Sequence, residues 1–121
     1  MTSQGIYSVC EDFIEDYPLI KDMITKNHYK DVQLHLLQDM NSSVIGVVIY
    51  TVTEQYTFVD ALEIKDGARL HKNGTMLLDQ LKENYDKLYL HAKPGTEGFY
   101  EKNNFKPIGG GYYVWRRLEI Q

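Results

Sequence analysis

The sequence contains very little cysteine, no long apolar run and no excess of positive charge. Cys10 is the only cysteine among 121 residues, which rules out an internal disulfide and fits a reducing cytoplasm. No apolar run reaches the length of a membrane span, and the polar start "MTSQG" does not resemble a signal peptide. We therefore expect a cytoplasmic protein that has no membrane partner.

Charge and histidine spacing exclude two further classes of protein. The formal net charge is −4, without a dense run of lysine and arginine, so we expect no nucleic-acid partner. The four histidines show neither His-x-x-x-His nor Cys/His ligand spacing, so we expect no metal. Hydrophobic residues make up 43% and charged residues 25%, which is typical of globular proteins. The length fits a single domain, residues 1–121.

Hydrophobic periodicity predicts a mixed α+β fold. Strands are predicted at 5–10, 31–39, 44–52, 56–64, 87–92 and 111–120, the last after a flexible "IGGG", and helices at 11–27, with a break at Pro18, at about 75–85 and at 96–104. The pattern indicates a twisted, mostly antiparallel sheet. In the second half of the chain, strands 56–64 and 87–92 are expected to be parallel neighbours joined by a right-handed helical crossover. These two strands are expected to splay apart.

The segment "RLHKNGTMLLDQL", residues 69–81, is a candidate anion site. Its helix begins at the carboxyl end of strand 56–64, where free N–H groups and the helix dipole favour an anion. Gly74 and Thr75 leave room for a ligand, and Arg69, His71 and Lys72 add positive charge. The alternative is an ordinary helix start with solvated basic residues, because a single glycine is a weak motif.

A second segment, "TEGFYEKNNF", is predicted to form a short helix after strand 87–92. Thr96 is expected to cap this helix, and Asn104 is expected to take the left-handed position that follows it. Phe105 would then make the closing hydrophobic contact. Phe99 and Tyr100 would lie at the same end of the sheet as the first segment, so the two helices and the splaying strands would form a cleft.

Three segments carry a resemblance to a known family: "LEI" at 62–64, "RLHKNG" at 69–74 and "FYEKNNF" at 99–105. From about residue 56 onward the chain resembles the GNAT (Gcn5-related N-acetyltransferase) superfamily. There a strand reading L-x-V leads into R/Q-x-x-G-x-G/A, and a later segment reads F-Y-E-K-x-G-F. The resemblance implies transfer of an acetyl group from acetyl-CoA to a primary amine, on a small molecule or a protein, by direct attack through a tetrahedral intermediate.

The resemblance also implies roles for individual residues. Backbone groups of Leu62 and Ile64 would pair with the pantetheine arm of acetyl-CoA as an added strand does, and an N–H near them would stabilise the oxyanion. N–H groups of residues 70–75 would hold the pyrophosphate. Tyr100 would donate its hydroxyl to the departing thiolate. The implied cosubstrate-binding residues are Leu62, Ile64, Arg69, Leu70, His71, Lys72, Asn73, Gly74 and Thr75.

Two residues depart from the family pattern. Lys72 stands where the first signature glycine is usual, and Leu70 where glycine is frequent. A residue other than glycine held at positive φ costs about 1–2 kcal/mol, which Lys72 would offset if its charge contacts a phosphate. The alternative hypothesis is a weak or inactive module on the same fold that binds acyl-CoA or a partner.

The acceptor amine must be neutral to attack, so a base is expected. Glu63 and His91 are the candidates, since both belong to the strands that would line the cleft. Their alternatives are a strand carboxylate that faces solvent and a partly buried histidine that is hydrogen-bonded in the sheet. Lys93 stands where many family members carry asparagine. The sequence leaves the acceptor open, and also whether the protein is a monomer or a homodimer.

Overall fold

The computed structural model describes residues 1–69 and 72–118, so Leu70, His71 and the end of the last predicted strand lie outside the described residues. The elements are, in chain order, α1 (Ser3–Cys10), a 3₁₀ turn (Ile14–Asp16), α2 (Pro18–Asn27), β1 (Gln33–Gln38), β2 (Val44–Val52), β3 (Thr57–Ile64), α3 (Asn73–Asn84), β4 (Lys87–His91), α4 (Glu97–Lys102), β5 (Lys106–Gly109) and β6 (Tyr112–Arg116).

The six strands form one mixed sheet in the order β1-β2-β3-β4-β6-β5. Every neighbouring pair is antiparallel except β3 and β4, which are parallel. The parallel register joins Phe58 to Tyr89 and Val59 to Leu90, although β3 continues to Ile64. The two strands therefore diverge toward their carboxyl ends. The predicted α+β fold, with a mostly antiparallel sheet and one parallel splay, is confirmed.

Each face of the sheet carries a hydrophobic cluster. On one face α3 packs against the sheet through Leu77, Leu78 and Leu81, as its periodicity predicts, and Phe105 closes the cluster. On the other face α1 and α2 pack against β2 and β3. The buried side chains of this second cluster are Ile6, Cys10, Ile14, Tyr17, Ile20, Ile24, Val32, Val47, Ile49 and Ala61. Both faces of the central strands are covered, which explains why β2 reads as a continuous apolar run.

The predicted strand at 5–10 is wrong, since these residues belong to helix α1. The side chain of Thr2 accepts from the Gly5 N–H at 2.9 Å and caps the helix. Ile6 and Cys10 lie one helical turn apart and are both fully buried. A spacing of four residues places both side chains on one face of a helix, and it would also place them on one face of a strand, so this pair alone does not distinguish the two. The segment was correctly recognised as apolar, but it was assigned the two-residue period of a strand and not the period of a helix.

The break that Pro18 predicts in the 11–27 helix is confirmed. A 3₁₀ turn at Ile14–Asp16 ends before Tyr17, and α2 begins with Pro18 at its first position. Proline fits this position because the first N–H of a helix has no intrahelical acceptor and the ring sets φ close to the helical value. The prolyl residue thereby fixes where α2 starts, which matters because this end of α2 borders the cleft described below.

Strand β5 was missed, because part of its sequence was assigned to a flexible "IGGG". Lys106–Gly109 pairs antiparallel with β6 at the sheet edge, where proline is tolerated because one side of the strand needs no hydrogen-bond donor. Gly109, Gly110 and Gly111 all have positive φ. These three glycines form the tight turn between β5 and β6, a conformation that glycine adopts without steric cost.

Helix α3 offers a matched test of the core. Leu78 is fully buried, whereas Met76 on the same helix is 48% exposed. We expect Leu78→Ala to lower the free energy of unfolding by about 2–5 kcal/mol through lost burial and a cavity. Met76→Ala should change it by less than about 0.5 kcal/mol. Urea unfolding measures both, and equal effects would contradict the assigned face of α3.

Candidate active site

A cleft of about 710 Å³ opens where β3 and β4 diverge. It is lined by Leu19, Leu62, Glu63, Ile64, Arg69, Lys72, Gly74, Thr75, Gly95, Thr96, Phe99 and Tyr100. These residues come from the start of α2, the end of β3, the start of α3 and the α4 region. The structure therefore brings together most of the described residues that the sequence predicted, with Asn73 and His91 as the exceptions.

The amino-terminal end of α3 borders this cleft and carries N–H groups without an intrahelical acceptor. The Met76 N–H donates to the Lys72 carbonyl oxygen at 3.1 Å, which is the first bond of the helix. The N–H groups of Asn73, Gly74 and Thr75 precede it and have no intrahelical acceptor. No side chain caps α3 at Lys72. These donors and the helix dipole suit an anion.

Lys72 adopts the left-handed conformation, with φ 57° and ψ 23°. Positive φ is expected here, because Lys72 stands at a position where the family pattern usually has glycine. The left-handed conformation costs a lysine about 1–2 kcal/mol. The side-chain amide of the next residue, Asn73, donates to the Ala68 carbonyl oxygen at 2.8 Å. The lysine side chain is exposed and lines the cleft beside the first N–H groups of α3.

Gly74 is required by packing as well as by ligand access. A Cβ atom at Gly74 would lie 2.9 Å from Cζ and 3.1 Å from Cε1 of Phe99. The Phe99 ring, which α4 supplies, therefore fills the space that a side chain at residue 74 would need. Glycine at this position lets α4 pack against the start of α3 and closes one end of the cleft.

The backbone edge of β3 faces the cleft. Lys65 donates its N–H to the Ile45 carbonyl oxygen at 2.9 Å on the β2 side. Because backbone groups alternate between the two edges of a strand, those of Leu62 and Ile64 point to the edge from which β4 diverges. Arg69 Nε donates to the Ile64 carbonyl oxygen at 3.2 Å. One of the backbone groups that was expected to bind pantetheine is thus already bound by the chain's own arginine.

Helix α4 ends as its sequence predicts. Asn104 has φ 69°, its N–H donates to the Glu101 carbonyl oxygen at 3.1 Å, and the Phe105 N–H donates to the Tyr100 carbonyl oxygen at 3.0 Å. This pair of bonds is the Schellman motif. Phe105 is buried and its ring lies 5.7 Å from the Tyr100 ring, centroid to centroid, so the predicted closing contact is confirmed.

The predicted side-chain cap of α4 is wrong. The Thr96 hydroxyl donates to the Lys93 carbonyl oxygen at 2.6 Å and makes no capping bond to the helix. Its backbone is already close to helical, with φ −102° and ψ −5°, whereas a capping residue normally needs an extended backbone. The hydroxyl therefore stabilises the turn before the helix, and the Thr96 carbonyl oxygen accepts from Phe99 and Tyr100.

Tyr100 lies in the cleft wall and is half-buried. Its ring is held between Phe99 at 5.1 Å and Phe105 at 5.7 Å, both edge-on. Burial raises the pKa of the Tyr100 hydroxyl to about 12. The hydroxyl is consequently protonated throughout the physiological pH range, and it can donate a hydrogen bond to negative charge that develops in the cleft.

Glu63 is not the solvent-facing strand carboxylate that one interpretation of the sequence expected. Its side chain is 7% exposed, and Oε1 accepts from the Ile20 N–H at 2.9 Å. Ile20 belongs to the first turn of α2, where Tyr17 provides no side-chain cap. A carboxylate at this position satisfies a free N–H and interacts favourably with the helix dipole. Glu63 therefore anchors the start of α2 to β3 at the cleft.

His91 is exposed at the end of β4, which is not the partly buried state that the alternative interpretation expected. Its Nε2 lies 3.0 Å from the Gly110 carbonyl oxygen, and its ring packs edge-on against Tyr112 at 4.7 Å. A carbonyl oxygen only accepts, so Nε2 is the donor in this contact, and Nδ1 takes no part in it. His91 lines a narrow slot of about 60 Å³ beside the cleft.

Asp60 also lines this slot and was missed in the sequence analysis. Its Oδ2 accepts from the Thr51 hydroxyl at 2.7 Å. Burial raises the pKa of the Asp60 carboxyl, and the bond from Thr51 opposes that rise. The signal was present in "TFVDALEI", because aspartate is unfavourable in the middle of an apolar strand unless its environment compensates.

Two findings concern other kinds of site. Among residues 1–69 and 72–118, no group of three or more His, Cys, Asp or Glu side chains is placed to hold a metal ion. No described helix has the length and apolar character needed to cross a membrane.

No protein-family model and no curated protein sequence matches the chain, but solved structures do. Gcn5 from Tetrahymena aligns with a TM-score of 0.63 at 14% identity, over 96% of this chain and 84% of that protein. A GNAT-family acetyltransferase from Staphylococcus aureus aligns with 0.59 at 18%, over 92% and 87%. KacTA in its complex with DNA aligns with 0.63 at 10%, over 90% and 79%. The fold is therefore that of the GNAT acetyltransferases.

The contact between Glu63 and Ile20 predicts different effects for two substitutions. Glu63→Ala leaves the Ile20 N–H without its acceptor and should lower the free energy of unfolding by about 1–3 kcal/mol. Glu63→Gln keeps an oxygen acceptor and should cost about 0.3–1 kcal/mol through the lost charge at the helix end. Urea unfolding, with exposed Glu15→Ala as the control, measures the difference. Equal losses in the two Glu63 variants would contradict the anchoring role.

Proposed function

Because the chain has the fold of the GNAT acetyltransferases, we propose that it is an N-acetyltransferase that transfers the acetyl group of acetyl-CoA to a primary amine. The observation that carries the proposal is the cleft between β3 and β4, which joins free N–H groups at the start of α3 to the Tyr100 hydroxyl. The acceptor is a small molecule or a protein. We propose that residues 1–121 act as one domain in the cytoplasm.

The residues at the cleft fit acetyl-CoA as cosubstrate. The backbone groups of Leu62 and the N–H group of Ile64, whose carbonyl oxygen is already bound by Arg69, suit the amide groups of pantetheine, as in strand addition. The N–H groups of Asn73, Gly74 and Thr75 suit the pyrophosphate, and Lys72 adds a charge-assisted contact. Arg69, whose Nε is bound to Ile64, fixes the loop between these two parts. Leu70 and His71 stay predictions for the same loop.

Direct attack of the amine on the thioester would form a tetrahedral intermediate, and its collapse would release the CoA thiolate. Tyr100 is proposed to stabilise the charge that develops on sulfur. A simple thiol titrates at about 8.5, whereas the pKa of Tyr100 is raised to about 12. Full proton transfer from the phenol to the thiolate is therefore uphill, so the hydroxyl acts through a hydrogen bond. An N–H near Leu62 to Ile64 is proposed to stabilise the oxyanion.

The proton that the amine loses needs an acceptor, and Glu63 and His91 remain the proposed bases. Glu63 lines the cleft and uses Oε1 for the Ile20 N–H, so a base role would use Oε2 or a bound water. His91 lies in the adjoining slot and would act through Nδ1. Proton removal by either group is general base catalysis, which typically contributes about 10²–10⁴ in rate.

A second candidate function is a catalytically weak or inactive module that binds acyl-CoA or a partner. It is favoured by one observation, the left-handed Lys72 where a glycine would be free of strain. The two functions differ in turnover and not in binding. The similarity to KacTA, solved with DNA, belongs to that protein. The absence of nucleic-acid, membrane and metal partners here stays a prediction, as does a monomeric or homodimeric state.

Release of the CoA thiol from acetyl-CoA, measured against a panel of primary amines, tests the proposed function. We expect turnover, and we expect Tyr100→Phe to lower kcat by about 10²-fold or more because the donor to the leaving thiolate is lost. Calorimetry should show acetyl-CoA affinity within about twofold of the parent protein. Tyr7→Phe on α1, 41% exposed, is the control. Binding without turnover supports the module, and a fully active Tyr100→Phe variant rules out Tyr100 as the donor.

Two substitutions at Lys72 separate backbone strain from charge. Lys72→Ala keeps the strained position and removes the charge, so acetyl-CoA binding should weaken by about tenfold. Lys72→Gly should weaken binding similarly but raise the free energy of unfolding by up to about 1 kcal/mol, since glycine adopts positive φ without cost. Calorimetry and urea unfolding measure these effects, with Lys30→Ala as the control. Unchanged or tighter binding by Lys72→Ala would show that Lys72 only fills the loop.

A further inference from the structure

An aromatic surface lies on the face of the sheet that carries α2. Leu88 and Leu90 of β4 belong to the cluster under α3. Since side chains alternate along a strand, Tyr89 and His91 point to the other face. Tyr112 is the register partner of His91 on β6 and shares that face.

Three side chains on this face, Phe58, His91 and Tyr112, form what we call the aromatic wall. The ring of Tyr112 lies 6.5 Å from that of Phe58 and 4.7 Å from that of His91, centroid to centroid. Tyr112 is 46% exposed. An exposed aromatic cluster of this kind offers apolar area and ring edges to a ligand.

Asp60 places a carboxylate beside the aromatic wall. Thr51 is the register partner of Phe58, and its hydroxyl donates to Asp60 Oδ2 at 2.7 Å. Asp60 therefore lies on the same face as Phe58. A carboxylate accepts about four hydrogen bonds, so one bond from Thr51 leaves most of its acceptor capacity for a ligand. Burial also strengthens its attraction for a cation.

The slot that holds Asp60 adjoins the acetyl-CoA cleft. Leu19, Leu62, Thr96 and Tyr100 line both cavities. A ligand whose cationic end contacts Asp60 therefore has that end beside the Tyr100 side of the cleft. The rest of such a ligand would extend over the aromatic wall.

The charges around the aromatic wall limit which amine fits. Lys87 lies with its Nζ 5.5 Å from the Tyr89 ring centroid, and Arg116 is its register partner. Lys93 also lines the slot. These three cations repel further positive charge, so a polyamine or a lysine-rich peptide is disfavoured. A single ammonium on an uncharged aromatic body matches the one carboxylate that lines this slot and the adjoining aromatic surface.

We propose that Asp60 binds the ammonium group of the acceptor and that the aromatic wall binds its body, which makes the acceptor an arylalkyl monoamine. The bound ammonium loses a proton to the proposed base, Glu63 or His91, before its nitrogen attacks the thioester. This inference rests on the proposed acetyl transfer for its biological meaning. The placement of Asp60 and the wall is independent of turnover, so binding alone can test it. Asp60 is here a substrate-binding residue.

The first experiment measures binding without chemistry. Protein saturated with CoA is titrated with 2-phenylethylamine by calorimetry. We expect Asp60→Asn to lower the affinity for the amine by about 10-fold or more, since a charge-assisted contact is lost. The amide oxygen introduced by Asp60→Asn can still accept from Thr51, so the fold and the CoA affinity should be retained. Asp22→Asn on α2 is the matched control and should leave amine binding unchanged.

The second experiment compares acceptors by thiol release at saturating acetyl-CoA. We expect kcat/KM for 2-phenylethylamine to exceed that for spermidine and for a lysyl peptide by about 10-fold or more. Tyr112→Ala should lower kcat/KM for 2-phenylethylamine more than for n-propylamine, which has no ring. This difference between substrates is not produced by general destabilisation.

The outcomes distinguish failure of this inference from failure of the proposed function. Amine binding that depends on Asp60 but gives no thiol release supports the site and contradicts acetyl transfer. Thiol release that is unchanged in Asp60→Asn, or that is fastest with spermidine or the peptide, supports acetyl transfer and overturns the acceptor assignment. Absence of amine binding to the CoA-saturated parent protein also overturns it.

Discussion

The short parallel pairing of β3 with β4 is the constraint on which the rest of the structure depends. Its register joins Phe58 to Tyr89 and Val59 to Leu90, and β3 then runs on to Ile64 while held on its other edge by β2. The unpaired edge of β3 becomes the wall of a cleft. A fully paired parallel sheet would bury these backbone groups and leave no place for an extended ligand. Pairing with β2 therefore stabilises β3, and the divergence of β4 leaves the other edge of β3 unpaired toward its carboxyl end.

Two helix amino termini meet at this cleft and are treated differently. The start of α2 is closed by Glu63, whose carboxylate reaches across from β3 to the Ile20 N–H. The start of α3 has no side-chain cap, and its first residue is preceded by the left-handed Lys72. A negative ligand is consequently favoured at α3 and disfavoured at α2, where a carboxylate is already present. Asp60 supplies a second carboxylate on the face of the sheet that carries α2. One helix start at the cleft therefore carries a carboxylate, and the other carries the charge of Lys72.

The second half of the fold could be predicted from the sequence better than the first half. Strands 56–64 and 87–92, helix α3 and the Schellman end of α4 follow from local patterns, since periodicity and Asn104 act on neighbouring residues. Residues 5–10 were assigned to a strand because a short apolar segment fits both periods, and the cap from Thr2 was overlooked. Strand β5 contains proline and glycine and exists because β6 pairs with it, which is non-local. Glu63 was recognised as a candidate, but its bond to Ile20 depends on how α2 crosses β3. Asp60 was missed although an aspartate inside an apolar strand is a local signal, and the face of the strand that it occupies depends on its pairing with β2.

The most direct test of the central account is an NMR titration of the backbone amides with acetyl-CoA. Saturable shift changes concentrated at Leu62 to Ile64 on β3 and at Asn73, Gly74 and Thr75 on α3 are the predicted result. Those two groups lie at the open strand edge and the uncapped helix end. Absence of saturable changes at millimolar acetyl-CoA, or changes confined to residues outside the cleft, would contradict the assignment of this cleft as the acetyl-CoA site.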